Sequence, residues 1–245
     1  MPRFFVDKSS VVGDEIYITG GDVNHIKNVL RMNAGEEISV SDGEGKDYFG
    51  VIQSVDKDRV TVHIENSWNS FVELPAKIYL FQGLPKADKM ELIIQKAVEL
   101  GVYCIVPVVM KRTIVKLDAK KEAKKLTRWQ GISESAAKQS GRGVIPEVTA
   151  PMDFKEALDM AGTLDAVLLP YEKAKGMDEA RQLIRSMSGK KSIGIFIGPE
   201  GGFDETEILA AGQAGAHMMT LGRRILRTET AGLAALSILM FELDL

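Results

Sequence analysis

The sequence predicts an α/β domain built on a mostly parallel sheet, preceded by a small β-rich unit of barrel type. Three observations carry that expectation. Short apolar or alternating segments separated by turn residues fill residues 1–70. From about residue 76, apolar runs and helical patterns take turns along the chain. Between them, Asn66-Ser-Trp-Asn-Ser70 and Pro75 mark a break.

In the first stretch, strands are expected at 15–19, 37–41, 48–55 and 59–65. Gly20-Gly21, Asp42-Gly-Glu-Gly45 and Asp56-Lys-Asp58 supply the turns between them, and one helical pattern covers 22–31. Short strands at this spacing suggest a small barrel. In the second stretch, strands are expected at 77–82, 103–109, 165–169, 192–197 and 216–221. Helices fill 87–100, 117–139, 153–161, 176–187, 204–214 and 229–242. Asp204-Glu-Thr-Glu207 is a helix start, where Asp204 can cap and Glu207 can reach back. The last helix is apolar around much of its circumference, so it needs cover on more than one side, in a core or a subunit interface.

Composition is that of an ordinary soluble globular protein, with 45% hydrophobic and 27% charged residues. The single cysteine, Cys104, excludes an intramolecular disulfide, and its apolar neighbours suit a buried thiol. His25, His63 and His217 are far apart and lack partners at ligand spacing, so no metal site is expected. Met-Pro-Arg-Phe-Phe does not begin a signal peptide, and no apolar stretch is long enough to span a bilayer, so a cytoplasmic location without a membrane partner is expected.

Two turn-rich segments stand out. Ser192-Ile-Gly-Ile-Phe-Ile197 runs into Gly198-Pro-Glu-Gly-Gly-Phe203, and Ala216-His-Met-Met-Thr-Leu221 runs into Gly222-Arg-Arg-Ile-Leu-Arg-Thr-Glu-Thr-Ala231. Two glycine loops leaving strands of one sheet make a ligand cleft, because bare backbone can approach a ligand there. Neither a G-x-x-x-x-G-K-[ST] loop nor an early G-x-G-x-x-G loop occurs, which leaves the common nucleotide-binding topologies unsupported.

The net charge of −3 hides an asymmetry. Residues 111–142 carry ten basic side chains against three acidic ones, the footprint of a phosphate-backbone partner. Within this stretch the run Lys120–Lys125 also reads as a solvated helix face, a reading that is weaker for Arg128, Gln139 and Arg142. Residues 1–75 hold seven basic and thirteen acidic groups, so only a local patch around His25, Lys27 and Arg31 is suited to a phosphate chain there.

The two glycine loops resemble the signature loops of the RsmE family, S-adenosylmethionine-dependent methyltransferases acting on uridine N3 in small-subunit ribosomal RNA. The similarity extends over the whole chain. Arg3-Phe-Phe5, His25 and Val29-Leu-Arg31 resemble the family's N-terminal marks. Gln95-Lys-Ala-Val-Glu-Leu-Gly101 with Pro107 resembles its first crossover helix and following strand. Arg128-Trp129, Glu134-Ser-Ala-Ala-Lys-Gln-Ser-Gly-Arg142 and Pro146 resemble its central segment.

The resemblance implies a SPOUT-type α/β domain over 73–245 whose C-terminal chain forms a trefoil knot, which periodicity alone would never suggest. It implies a PUA-like, RNA-binding β-barrel over 1–72, a homodimer, and 16S ribosomal RNA or the small ribosomal subunit as partner. S-adenosylmethionine is then expected on Ile197, Gly198, Pro199, Glu200, Gly201, Gly202, Leu221, Gly222, Ile225, Leu226, Arg227, Thr230 and Ala231. Arg227 is assigned to the charge that spreads over the uracil carbonyls as N3 loses its proton, a task suited to a planar, permanently ionised guanidinium. Glu200 or Glu229 is the expected proton acceptor, although Glu229 also fits a helix N-terminal acid. Arg224, like His25, Arg31, Arg128, Gln139 and Arg142, is assigned to RNA. Two rival readings share the fold: an RNA-binding assembly factor without turnover, and a methyltransferase acting on transfer RNA.

Overall fold

The computed structural model describes residues 1–174 and 176–244, which divide into two compact units. One comprises Met1–Glu73 with Ala137–Ile145, and the other Leu74–Ala136 with Pro146–Leu245.

The first unit carries β1 (Arg3–Phe5), β2 (Val11–Val12), β3 (Glu15–Thr19), α1 (Gly21–Asn24), β4 (Glu37–Ser41), β5 (Lys46–Val55) and β6 (Arg59–Asn69). The strands form one six-stranded sheet in the order β1-β4-β5-β6-β3-β2, antiparallel except for β1 beside β4. Alternation along β3 sends Ile16 and Ile18 inward, where they meet Ile38 and Val40 of β4 and Val60 and Val62 of β6 in one apolar core. Each such buried side chain stabilises the unit by about 1.5–3 kcal/mol. The helical pattern expected over 22–31 is a short α-turn that widens into a π-helical turn at His25–Val29.

Residues 137–145, expected with the α/β domain, group with the first unit for a physical reason. The buried Arg142 guanidinium donates from Nε to both Glu73 oxygens (2.9 and 3.0 Å), and the Gly143 amide donates to the same carboxylate (2.9 Å). Ser41 Oγ donates to the Gly143 carbonyl at 3.0 Å, and Lys138 Nζ reaches both Asp22 oxygens.

The second unit contains β7 (Lys77–Gly83), α2 (Lys89–Glu99), β8 (Cys104–Val109), α3 (Ala119–Ser140, whose last turn falls in the first unit), β9 (Glu147–Val148), β10 (Met152–Asp153) and α4 (Phe154–Ala161). It continues with β11 (Ala166–Pro170), α5 (Met177–Arg185), β12 (Ser192–Ile197), α6 (Glu205–Gln213), β13 (His217–Met219) and α7 (Thr228–Leu243). The sheet order is β10-β8-β7-β12-β11-β13, with β9 also beside β8, and every pair is parallel. Helices cover both faces, so both alternating sets of β7 and β12 are buried, and Phe81 stacks on Phe196 with centroids 4.4 Å apart. The capping box read at Asp204 and Glu207 is present at the start of α6. Cys104 is buried in this core, and burial pushes its thiol up to about 12, so it is inert at neutral pH.

Candidate functional site

Three adjacent parallel strands, β12, β11 and β13, end on one side of the sheet, and the segments leaving them enclose a cleft of about 420 Å³. Ligands of open α/β sheets bind at the carboxyl ends of strands, and this volume is in the usual range for a small molecule. One wall is Ile197–Glu200 with Gly202 and Phe203, and the opposite wall is Thr220–Thr228; Pro170-Tyr171-Glu172 and Lys89 complete the lining.

Local chemistry fixes each wall. Gly83, at the end of β7, lies so close to the first loop that a Cβ there would meet the Pro199 nitrogen at 2.6 Å. Thr228 opens α7 and holds the loops together. Its hydroxyl donates to the Gly198 carbonyl (2.6 Å) and accepts from the buried Gln82 amide (2.8 Å). The second loop turns at Gly222, whose φ of +122° excludes other residue types without strain. The Thr220 hydroxyl accepts from the Gly222 amide at 3.1 Å and donates to its carbonyl at 3.2 Å.

The rim is charged. Lys89, the first residue of α2, places its ammonium 3.1 Å from Glu200 and 3.3 Å from Glu229. These carboxylates raise the Lys89 pKa, with the Glu200 hydrogen bond dominant. Burial works to raise the Glu200 pKa. The amides of Lys86 and of Glu200 itself, together with Lys89, outweigh it and hold that carboxyl below its ordinary value. Arg223, Arg224 and Arg227 are exposed and make no ion pair with another described residue.

All the residues expected to hold the cofactor line this cleft except Gly201 and Thr230. Gly201 faces away toward Arg112, whose Nη1 donates to its carbonyl at 3.0 Å, and Thr230 is exposed in the first turn of α7. Arg227 is the N-cap of α7, with its carbonyl turned into the helix and its side chain at the cleft. Glu200, expected to accept a proton, has its carboxylate engaged by the Lys86 amide and the Lys89 ammonium.

Among the residues assigned to RNA, Arg224 is exposed at the cleft, and His25, Arg31 and Gln139 are exposed in the first unit. His25 sits edge-on to Phe4, and Arg31 follows the π-turn in a left-handed conformation (φ +55°). Arg128 is exposed with Nη2 bonded to Glu91 at 2.7 Å. Arg142, also assigned to RNA, is only 4% exposed, with its guanidinium clamped on Glu73.

Lys89, Tyr171, Glu172 and Thr220 line the cleft without having been read from the sequence. Tyr171 and Glu172 follow the apolar run of β11 directly, which was a usable signal; Lys89 had none.

A parallel α/β sheet with two glycine loops meeting at its carboxyl edge defines the class. Residues 72–240 match the family model described as RNA methyltransferase domain, and residues 18–65 match that described as RNA methyltransferase PUA domain. The chain is 38% identical to ribosomal RNA small subunit methyltransferase E of Bacillus subtilis (strain 168), covering 100% of this chain and 98% of the relative. It is 35% identical to the protein of the same name from Mesomycoplasma hyopneumoniae (strain 232), covering 97% and 98%. The crystal structure of ribosomal RNA small subunit methyltransferase E from Neisseria gonorrhoeae bound to S-adenosyl methionine superposes with a TM-score of 0.84 at 36% identity, covering 97% and 95%. The chain belongs to the ribosomal RNA small subunit methyltransferase E family.

Proposed function

We propose that this protein is an S-adenosylmethionine-dependent methyltransferase that modifies N3 of a uridine in 16S ribosomal RNA. The observation carrying the reading is the convergence of both glycine loops on one cleft, in a chain similar to the named methyltransferases over its whole length. The cleft fits the cofactor: Gly198, Gly202 and Gly222 lack side chains, so backbone can approach a ligand closely there, and Ile197, Leu221 and Leu226 offer apolar walls. Bound there, S-adenosylmethionine supplies an electrophilic methyl group. The protein's own part is to hold both reactants in line and to stabilise charge on the uracil as N3 loses its proton. Arg227, exposed at the cleft and free of ion pairs with described residues, is the cation for that charge. Arg224, His25, Arg31, Arg128 and Gln139 contribute RNA contacts from exposed positions.

The same reading assigns residues 1–72 to a PUA-like RNA-binding barrel and 73–245 to a SPOUT domain, in the cytoplasm, where ribosomal RNA is found. A trefoil knot belongs to the same reading, and the return of the chain from β13 at the sheet edge through 220–227 to α7, which packs on β7 and β12, is the segment it would involve. A homodimer is supported by Leu92 on α2 and Ile238 and Phe241 on α7, apolar side chains left exposed on two helices that pack together. Light scattering at micromolar concentration is expected to give twice the chain mass.

Mass spectrometry of 16S ribosomal RNA from cells lacking the gene tests the reaction. One uridine is expected to lose a 3-methyl group and to regain it when the purified protein and S-adenosylmethionine are added. An unchanged modification pattern rejects the proposal.

A further inference from the structure

Lys89 stands where three pieces of chain meet. It begins α2, and its ammonium lies within ion-pair reach of Glu200, in the loop after β12, and of Glu229, in the first turn of α7. Glu200 lines one wall of the cleft, and Glu229 directly follows Thr228, the last residue of the opposite wall. Both are substantially withdrawn from water, with side chains 28% and 16% exposed, so water screens their mutual repulsion poorly. Glu229 Oε2 is buried and makes no hydrogen bond to a described residue, which leaves the Lys89 ammonium at 3.3 Å as its counter-charge. Glu200 is fixed from a second direction by the Lys86 amide at 3.0 Å, so the segment leading into α2 and the first loop move together.

Resting on the cofactor reading of the cleft, we propose that Lys89 is a positioning residue whose ammonium holds Glu200 and Glu229 together and so sets the aperture between the two walls. It acts through the carboxylates, and its charge is spent on them. Without it, two like charges face each other across the rim, and the walls separate by the repulsion that the cation now cancels. The cleft then binds S-adenosylmethionine more weakly, while chemistry on the bound complex changes less.

The test is titration calorimetry with S-adenosylmethionine at pH 7.5 and pH 5 on the full-length protein, with methylation kinetics alongside. Lys89→Met is expected to weaken binding about tenfold or more at pH 7.5 and to raise KM more than it lowers kcat. The deficit should shrink at pH 5, because in Lys89→Met the uncompensated repulsion between the two carboxylates favours protonation of one of them, and that protonation removes it. Lys89→Met/Glu229→Gln should recover most of the loss at pH 7.5, and Lys89→Arg should retain most of the affinity. Binding by Lys89→Met within twofold of wild type overturns the proposal. So does a deficit that is equal at both pH values and unrelieved by Glu229→Gln, the pattern of a merely structural lysine. Wild-type protein that binds no S-adenosylmethionine overturns the cofactor reading first and this proposal with it.

Discussion

At the scale of single residues, the cleft separates charges already satisfied from charges still available. Arg142 looked like an RNA contact in a basic stretch, yet its guanidinium is consumed by Glu73 inside the first unit. Charge counting sees only sign and spacing, and a partner 69 residues away lies outside its reach. Glu200 is likewise committed, to Lys86 and Lys89. Its carboxyl is depressed in the folded protein, so its contribution to stability is fully present above the ordinary value of 4.5 and is lost as the pH falls below it. Glu200→Gln should therefore flatten the acid limb of a stability profile below that pH and leave the shape above pH 6 unchanged, as read by thermal unfolding across pH. Arg227 is the opposite case, an exposed cation with no ion-pair partner among the described residues. Removing a donor aimed at developing charge lowers turnover by about a hundredfold or more. Arg227→Ala and Arg227→Lys should each do so while S-adenosylmethionine affinity stays within a few-fold, because the loop backbone supplies those contacts. Single-turnover methylation and calorimetry on the same samples separate the two effects; normal turnover in both variants would falsify the assignment.

At the scale of elements, periodicity gave the helices of the second unit and all its strands but β9 and β10 to within a few residues, and the capping signal at Asp204 and Glu207 placed the start of α6 correctly. It missed β1, β2, β9 and β10, which are two or three residues long and too short to show a period. The π-helical turn at His25–Val29 was also invisible, since a helix pattern does not report which carbonyl an amide will find. What joins the elements into a site is a short chain of hydrogen bonds, Gln82 to Thr228 to Gly198, linking β7, α7 and the loop after β12. The Thr228 side chain is buried, so Thr228→Val leaves the Gly198 carbonyl and the Gln82 amide each without this partner. Such losses cost about 1–3 kcal/mol per stranded group. Thr228→Val should thus lower the melting temperature by several degrees and weaken cofactor binding with it. A variant that loses neither would show that backbone packing alone, as at Gly83, seats α7.

At the scale of the whole molecule, strand order decides which residues become neighbours, and no local pattern encodes it. Both glycine loops were legible because each joins an apolar run to glycines, whereas Tyr171 and Glu172 follow an apolar run without a glycine and enter the cleft because β11 lies between β12 and β13. Lys89 enters from the far side of β7 in the sequence, more than a hundred residues before either of its partners. The division into units follows the same rule. Segment 137–145 is distant in sequence from residues 1–73, yet it supplies the Arg142 clamp on Glu73, the Gly143 carbonyl for Ser41 and the Lys138 ammonium for Asp22. A chain cut after residue 73 loses all three and leaves the Glu73 carboxylate without its cation, even though the apolar core around Ile16, Ile38 and Val62 is complete. Small units have little stability in reserve, so losing several tertiary polar contacts at once is enough to unfold a large fraction of molecules. Residues 1–73 alone should unfold at lower temperature and less cooperatively than the same residues joined by a short glycine-serine linker to 137–145. Circular dichroism melts of the two polypeptides compare them directly, and equal midpoints would mean that the six-stranded sheet stands without the segment.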